Sequence, residues 1–112
     1  MEAITVKELL AAVHGELLQG DETAKILGVN TDSRTVKAGE VFVPLVGERF
    51  DGHDYIEKAI SAGAEGCLCA RVPETLLPGK FYIQVPDTRL ALRALAASCR
   101  NRYDIPVIQI TG

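Results

Sequence analysis

From Val41 onward, apolar runs of strand length alternate with segments that have the apolar spacing of an amphipathic helix. The apolar runs fall at 40–46, 66–70, 81–85 and 106–110, and the helical segments fall at 54–62 and 88–103. Chains that alternate in this way bury a mainly parallel sheet between layers of helices. We therefore predict an α/β sandwich with a largely parallel or mixed sheet and about three helices, the remaining helix coming from the N-terminal segment.

The N-terminal segment has its own helix signals. Thr5 and Glu8 have the spacing of a capping box, in which each side chain satisfies a free backbone N–H of the first turn. The apolar spacing extends this helix to about His14. Gly15 suits the position just after a helix end, where a left-handed backbone is common.

Short strands are expected at 16–18 and 26–29, ahead of the alternating region. Pro44 lies inside the apolar run over 40–46 and has no backbone N–H to donate, so we expect a bulge or a sheet edge there. Asp51 is the expected N-cap of the helix over 54–62.

Composition excludes several classes of function. The chain has 112 residues, of which 47% are hydrophobic and 24% charged, as expected of one ordinary globular domain. Its net charge of −3 leaves no basic surplus to follow a nucleic-acid backbone. No apolar run reaches the roughly 20 residues of a membrane span, and the N-terminus lacks signal-peptide features. We expect a cytoplasmic protein that binds neither nucleic acid nor membrane.

The three cysteines predict buried, reduced thiols and no metal site. Cys67 and Cys69 alternate in an apolar strand and should face the same side, whereas Cys99 lies on the inner face of the third helix. A zinc site would need more ligands than this pair and a distant histidine supply.

Two short polar blocks follow apolar runs and predict a ligand site. The first covers 31–34, Thr-Asp-Ser-Arg, and the second covers 47–54, Gly-Glu-Arg-Phe-Asp-Gly-His-Asp. In α/β folds, loops at strand ends are where ligands bind. These loops supply hydroxyls, a guanidinium each, and glycines that let backbone N–H groups approach an anion. The chemistry suits a phosphorylated small molecule.

The last run, over 106–110, leads into Thr111 and Gly112. An apolar strand followed by Thr-Gly is how a phosphate-binding loop begins, although the rest of such a loop is absent here. We therefore expect residues 1–104 to form one domain and residues 105–112 to be the first strand and loop start of a following ATPase domain.

These motifs together resemble the N-terminal domain of the Mur ligases, which build the peptide stem of peptidoglycan. The resemblance rests on 31–34, on Gly-Glu-Val-Phe-Val-Pro-Leu at 39–45, on the run at 47–56, on Pro-Asp-Thr-Arg-Leu-Ala-Leu at 86–92, and on 105–112. The run at 47–54 is most similar to the branch that joins D-alanyl-D-alanine to UDP-N-acetylmuramoyl-tripeptide. The alternatives are the branch that adds the third stem-peptide residue, a stand-alone nucleotide-phosphate-binding module, and an unrelated phosphate-binding domain.

The resemblance implies an ATP-dependent amide ligase of bacterial cell-wall synthesis that acts through an acyl phosphate. ATP and Mg²⁺ would bind a central domain, of which only Thr111 and Gly112 are present here, so these 112 residues alone should be inactive and hold no catalytic residue and no cofactor. The implied partners are UDP-N-acetylmuramoyl-tripeptide and, through the missing domains, D-alanyl-D-alanine. We expect a monomer.

In the first block, Thr31 and Ser33 offer hydroxyls that can donate to and accept from a uracil edge, and the resemblance places Ser33 against the uracil. The alternative is that both hydroxyls satisfy loop backbone. Arg34 either forks onto a diphosphate or pairs with Asp32 or Asp51. The charge of Asp32 makes it a poor phosphate contact, so we expect it to anchor the turn.

The second block would form the other wall of the site. Backbone N–H groups between Gly47 and Gly52, around Glu48, Arg49 and Phe50, would meet the diphosphate. The Arg49 side chain would add charge, and Phe50 would pack on the ligand or in the core.

Asp51, Gly52 and His53 would turn the chain into the next helix, whose N-terminus favours anions. His53 would donate to a phosphate or brace the loop. Arg89, Arg93 and Arg100 form a basic stripe on the third helix, either solvated or facing a following domain.

Overall fold

The computed structural model describes residues 4–47, 51–102 and 108–109, with side chains for 4–47 and 51–97. Its strands are β1 (Ile4–Thr5), β2 (Glu16–Gln19), β3 (Lys25–Ile26), β4 (Gly28–Asn30), β5 (Glu40–Phe42), β6 (Gly66–Cys69), β7 (Phe81–Gln84) and β8 (Ile108–Gln109). Its helices are α1 (Val6–Val13), α2 (Ile56–Ala62) and α3 (Thr88–Arg102), and a 3-10 helix over Gly52–Tyr55 leads into α2.

The main sheet has six strands in the order β2-β7-β6-β5-β4-β8. Neighbouring strands from β7 to β8 are parallel, and β2 joins β7 antiparallel at the other end. Strands β1 and β3 form a separate antiparallel pair. The prediction of an α/β fold with three helices and a mixed, largely parallel sheet is confirmed. The assignment of residues 105–112 to a following domain stays a prediction, since β8 is described here only through its pairing with β4.

Side chains of successive strand residues point to opposite faces of the sheet and build two cores. On one face, Leu9 of α1 and Leu95 of α3 pack with Leu68 and Ile83. On the other face, α2 covers a second cluster. The members of this second cluster include Phe42, Ile56, Ala59, Ile60, Cys67, Cys69 and Tyr82. The sheet is therefore covered on both sides, as its apolar strands predicted.

Cys67 and Cys69 are free thiols, fully buried on the face covered by α2. The Cys69 Sγ lies 3.5 Å from the carbonyl oxygen of Ile83 and donates to it. Hydrogen bonding with Cys69 and burial raise the pKa of the Cys67 thiol well above its usual range. The prediction of buried, reduced thiols is confirmed for this pair, and the side chain of Cys99 lies outside the described residues.

Two predicted strands are shorter than expected. The segment over 26–29 divides at Leu27, whose N–H donates to the carbonyl of Gly39 at 2.7 Å while Ile26 and Gly28 belong to different sheets. The strand over 40–46 ends at Phe42 because only the N–H of Val43 continues the pairing, to the Asn30 carbonyl, before Pro44 interrupts it. Pro44 thus lies beyond the end of β5, which is an interior strand with no bulge in its pairing, so the expected bulge or sheet edge at Pro44 is wrong.

The helix expected over 54–62 starts with a 3-10 turn, so α2 itself begins at Ile56. Asp51 caps this turn as predicted, accepting from the backbone N–H of His53 at 2.9 Å. In the part of the chain that the structure describes, no helix has both the length and the apolar character needed to cross a bilayer.

The capping box of Thr5 and Glu8 is present, but the expected role of Gly15 at the end of α1 is wrong. His14, with φ 53°, adopts the left-handed conformation instead. Gly15 is required for a different reason, since a Cβ there would lie 2.5 Å from the Cγ2 of Ile83. The glycine lets the chain cross closely over β7.

We expect His14→Gly to stabilise the chain by about 0.5–1 kcal/mol, because glycine adopts a left-handed backbone without the penalty that a Cβ brings. The His14 side chain is exposed, so little packing is lost. Urea denaturation of both proteins measures the difference. An unchanged or lower free energy of unfolding would show that the His14 side chain makes a compensating contribution.

Candidate functional site

The two polar blocks follow adjacent parallel strands, the first directly after β4 and the second after residues 43–46, which continue from β5. Strand β4 pairs in register with β5, Asn30 opposite Phe42, and the chain leaves both strands at the same edge of the sheet. This edge is where open α/β sheets bind ligands. The predicted juxtaposition of the two blocks is therefore present for the residues described, 31–34 and Gly47.

A cavity of about 760 Å³ lies at this edge, within the size range of small-molecule sites. The first block contributes Thr31, Asp32, Ser33 and Arg34. The segment after β5 contributes Leu45, Val46 and Gly47, with Phe42 at the strand end. The helical segments contribute Tyr55, Lys58 and Arg89. Of the predicted site residues, the cavity unites Thr31, Ser33, Arg34 and Gly47.

Asn30 holds the first block in place. It is buried at the end of β4, and its Oδ1 accepts from the N–H of Asp32 at 2.8 Å. Its Nδ2 donates to the Oγ1 of Thr35 at 3.1 Å and to the Oε1 of Glu40 at 3.3 Å. These contacts tie both ends of the turn to β4 and β5. Asn30 was missed at the sequence level because its partners lie up to ten positions away.

Arg34 pairs with Asp32, one of the alternatives that the sequence left open. The Nε and Nη2 atoms of Arg34 lie 3.1 and 3.0 Å from the two carboxylate oxygens of Asp32. The side chain and the backbone N–H of Arg34 hold the pKa of Asp32 below its usual value. Asp32 thus anchors the turn, as expected, and neutralises much of the charge that Arg34 brings to the cavity.

Ser33 is buried, with 8% of its surface exposed, yet it lines the cavity. Within the described part of the chain, its hydroxyl makes no hydrogen bond to a protein group. The role of the Ser33 hydroxyl therefore stays a prediction, and so does the alternative that the Thr31 and Ser33 hydroxyls satisfy loop backbone.

The described residues on either side of 48–50 lie close together. Val46 forms an isolated antiparallel bridge with Asp51, and the N–H of Gly52 donates to the carbonyl of Leu45 at 2.7 Å. Glu48, Arg49 and Phe50, the predicted diphosphate wall, lie outside the described residues, so their roles stay predictions. The bridge brings together Val46 and Asp51, which flank this segment in the sequence.

The buried His53 side chain connects the second block to the residues that follow β6. It is only 3% exposed, and its Nε2 accepts from the backbone N–H groups of Ala70 at 2.9 Å and Arg71 at 3.3 Å. The proton therefore sits on Nδ1, which donates to the Oδ1 of Asp51 at 2.7 Å. Both ring nitrogens are occupied, and His53 does not line the cavity, so the structure gives no support to phosphate donation.

Asp51 connects the buried His53 ring to the exposed side chain of Arg71. Its carboxylate also accepts from the backbone N–H of His53 and lies 3.4 Å from the Nη2 of Arg71. The backbone N–H of His53 is the main cause that lowers the pKa of Asp51 below its usual value, with smaller contributions from the imidazole and Arg71. Asp51 therefore serves as a cap and a brace rather than as a ligand contact.

The sequence does not single out Tyr55 or Lys58 as cavity residues, and it predicts that Arg89 belongs to a stripe that is either solvated or facing a following domain. The Nη2 of Arg89 donates to the carbonyl of Val46 at 3.2 Å, across 43 positions. Arg93, from the same stripe, is exposed and does not line the cavity. Their four-residue spacing places both on the same side of α3, so only the fold shows which one lines the cavity.

Thr111 and Gly112, the expected start of an ATP-binding loop, lie outside the described residues, so their role stays a prediction. Within the described residues, no group of three or more His, Cys, Asp or Glu side chains is arranged to hold a metal ion.

Comparison with known proteins agrees with this architecture. Residues 25–100 match the family described as "Mur ligase family, catalytic domain". A solved structure of MurF from Acinetobacter baumannii superposes with a TM-score of 0.80 at 32% identity, covering 91% of this chain and 22% of that one.

Two curated relatives represent different ligases. The UDP-N-acetylmuramoyl-tripeptide–D-alanyl-D-alanine ligase of Escherichia coli is 38% identical over 112 residues, which is 100% of this chain and 24% of the relative. The UDP-N-acetylmuramoyl-L-alanyl-D-glutamate–2,6-diaminopimelate ligase of Bacteroides thetaiotaomicron is 42% identical over 93 residues, covering 83% of this chain and 19% of the relative.

The chain thus spans about a fifth to a quarter of the length of these relatives. The family match covers more than half of the chain, and the fold superposes on that of a solved MurF. On sequence and fold together, the chain belongs to the Mur ligase family.

Proposed function

We propose that this chain is the nucleotide-binding N-terminal domain of an ATP-dependent amide ligase of peptidoglycan precursor synthesis. In this proposal it holds the uridine diphosphate end of UDP-N-acetylmuramoyl-tripeptide, in the cytoplasm and as a monomer. The observation that carries the proposal is the cavity at the ends of β4 and β5, where Ser33 and Gly47 line the same space.

The cavity has the chemistry that a uridine nucleotide requires. Its first loop offers the Ser33 hydroxyl, which can donate to one atom of a uracil edge and accept from another. Leu45 and Tyr55 add apolar surface on which a flat ring can lie. Gly47 opens the second loop, whose backbone N–H groups we expect to meet the diphosphate. Charged and polar groups thus line one cavity that is large enough for a nucleotide.

The proposed mechanism is positional. The domain grips the nucleotide, and the peptide end of the precursor extends toward a following domain that binds ATP and Mg²⁺. The amide bond would form at that following domain, where ATP and Mg²⁺ would supply activation of the terminal carboxylate. Binding energy from the distant nucleotide lowers the entropic penalty of aligning the reacting groups. The chain itself would supply no group that touches the reacting atoms.

We favour D-alanyl-D-alanine as the incoming group. This preference is supported by the run over 47–54, by the relative that matches all 112 residues, and by the MurF structures. The alternative is addition of the third stem-peptide residue, which the Bacteroides relative favours at 42% identity. A ligation assay on the protein with its following domains, offered each amine in turn, separates the two.

We expect Ser33→Ala to reduce the preference for UDP over CDP by roughly fivefold to tenfold. The lost hydroxyl would remove a hydrogen bond worth about 1 kcal/mol that distinguishes the two pyrimidine edges. Titration calorimetry with both nucleotides measures the ratio. Ser61→Ala, on the exposed side of α2, serves as the control. An unaltered UDP-to-CDP ratio in Ser33→Ala would exclude Ser33 from base recognition.

A further inference from the structure

Two basic side chains reach the cavity from helices rather than from its loops. Lys58 lies on α2 and Arg89 lies in the first turn of α3. Both are exposed, and they come from helices on opposite faces of the sheet. The sequence motifs that indicated a nucleotide site include neither residue in a ligand role.

The charges around the cavity do not balance. Its described lining holds three cations, Arg34, Lys58 and Arg89, and a single carboxylate, Asp32. Asp32 is taken up by Arg34 in a two-pronged ion pair. Neither Lys58 nor Arg89 forms an ion pair with any described carboxylate. Among the described residues, the cavity therefore keeps two positive charges that have no ion-pair partner, in a chain whose net charge is −3.

Arg89 is also held in position before any ligand arrives. The Oδ1 of Asp87 accepts from the backbone N–H groups of Arg89 at 2.8 Å and Leu90 at 3.2 Å, which fixes the first turn of α3. One guanidinium N–H of Arg89 is donated to the Val46 carbonyl. Its remaining N–H groups have no partner among the described residues, so they can donate to a ligand in the cavity that Arg89 lines. Such preorganisation lowers the entropy lost on binding.

We infer that Lys58 and Arg89 form the cation pair that binds the diphosphate in this cavity, whereas Arg34 mainly stabilises its own loop through Asp32. The inference rests on the proposed function, because it takes a uridine diphosphate as the ligand. Arg89 would act as a forked donor and Lys58 as a mobile point charge, a combination suited to two linked phosphates.

A ligand series that differs only in phosphate number tests this assignment. Uridine, UMP and UDP are titrated against the chain and against Lys58→Gln and Arg89→Gln, with affinities taken from amide chemical-shift changes, which also report weak binding. We expect each variant to lose roughly tenfold to a hundredfold in UDP affinity, less for UMP, and less than about twofold for uridine. Arg89→Lys should recover part of the loss.

Controls separate charge recognition from folding. Arg93→Gln removes an exposed arginine from the same helix outside the cavity and should leave all three affinities unchanged. Arg34→Gln should weaken the three ligands by similar factors, because it disturbs the loop rather than a phosphate contact. A damaged fold in Lys58→Gln or Arg89→Gln would likewise weaken uridine and UDP together, which differs from the expected pattern.

The outcomes also distinguish failure of the cation pair from failure of the proposed function. An unchanged UDP-to-uridine affinity ratio in both variants would overturn the cation pair. If the unchanged chain bound ADP as well as UDP, while the variants lost both nucleotides, the cation pair would stand and the uridine assignment would fall. If the unchanged chain bound neither uridine nor UDP, both proposals would fail together.

Discussion

Gly52→Ala is expected to lower the free energy of unfolding by about 3 kcal/mol and to abolish nucleotide binding. A Cβ at this position would lie 2.7 Å from the Leu45 nitrogen, 2.8 Å from the Pro44 Cα and 2.9 Å from the Leu45 oxygen. All three are backbone atoms, which cannot rotate away as a flexible side chain would. The segment 44–47 would have to move, and with it one wall of the cavity.

The same substitution would also strain the hydrogen bond from the Gly52 N–H to the Leu45 carbonyl, which is 2.7 Å long. Urea denaturation followed by UDP titration measures both effects. Gly79→Ala is the matched control, since Gly79 has φ 82° but nothing within 4 Å of an added Cβ. It should lose only about 1 kcal/mol of stability through backbone strain and keep full UDP affinity. Equal effects at the two glycines would contradict the steric argument.

His53→Ala is expected to destabilise the chain by about 3 kcal/mol, although its imidazole touches no ligand in this account. The substitution leaves the backbone N–H groups of Ala70 and Arg71 without their acceptor and removes a buried ring. It also frees Asp51 from the Nδ1 contact that holds the end of the second block. Buried donors without partners carry a large desolvation penalty.

Thermal and urea unfolding of His53→Ala measures this loss, and His14→Asn is the control at the other histidine, which is exposed. Asparagine tolerates the left-handed backbone of position 14, so the control should change stability by less than about 0.5 kcal/mol. If His53→Ala instead kept wild-type stability and lost only UDP affinity, His53 would be a ligand contact and not a brace.

Local features of this fold can be predicted from the sequence, whereas contacts between distant residues cannot. The capping box of Thr5 and Glu8 and the cap at Asp51 involve neighbours three positions apart or fewer, and the sequence predicts them correctly. The left-handed residue after α1 was assigned to Gly15 because local rules favour glycine. The fold places Ile83 against Gly15, and no local rule contains that contact.

The candidate site likewise combines features that the sequence predicts with contacts that it does not. The loops at 31–34 and 47–54 are visible as polar blocks after apolar runs, so their juxtaposition follows once the strands are parallel and adjacent. The division of the strand at Leu27 and the contact of Arg89 with Val46 depend on distant carbonyl groups. Charge patterns alone could not separate Arg89 from Arg93, because both suit a solvated helix face.

The most direct test of the central claim is an amide-resolved NMR titration of this chain with UDP-N-acetylmuramoyl-tripeptide and UDP, with ADP as the control nucleotide. We predict saturable shifts at residues 31–34 and 47–53 with both uridine ligands, and much weaker shifts with ADP. Shifts confined to other parts of the sheet, or an equal response to ADP, would contradict the assignment of this cavity to a uridine diphosphate precursor.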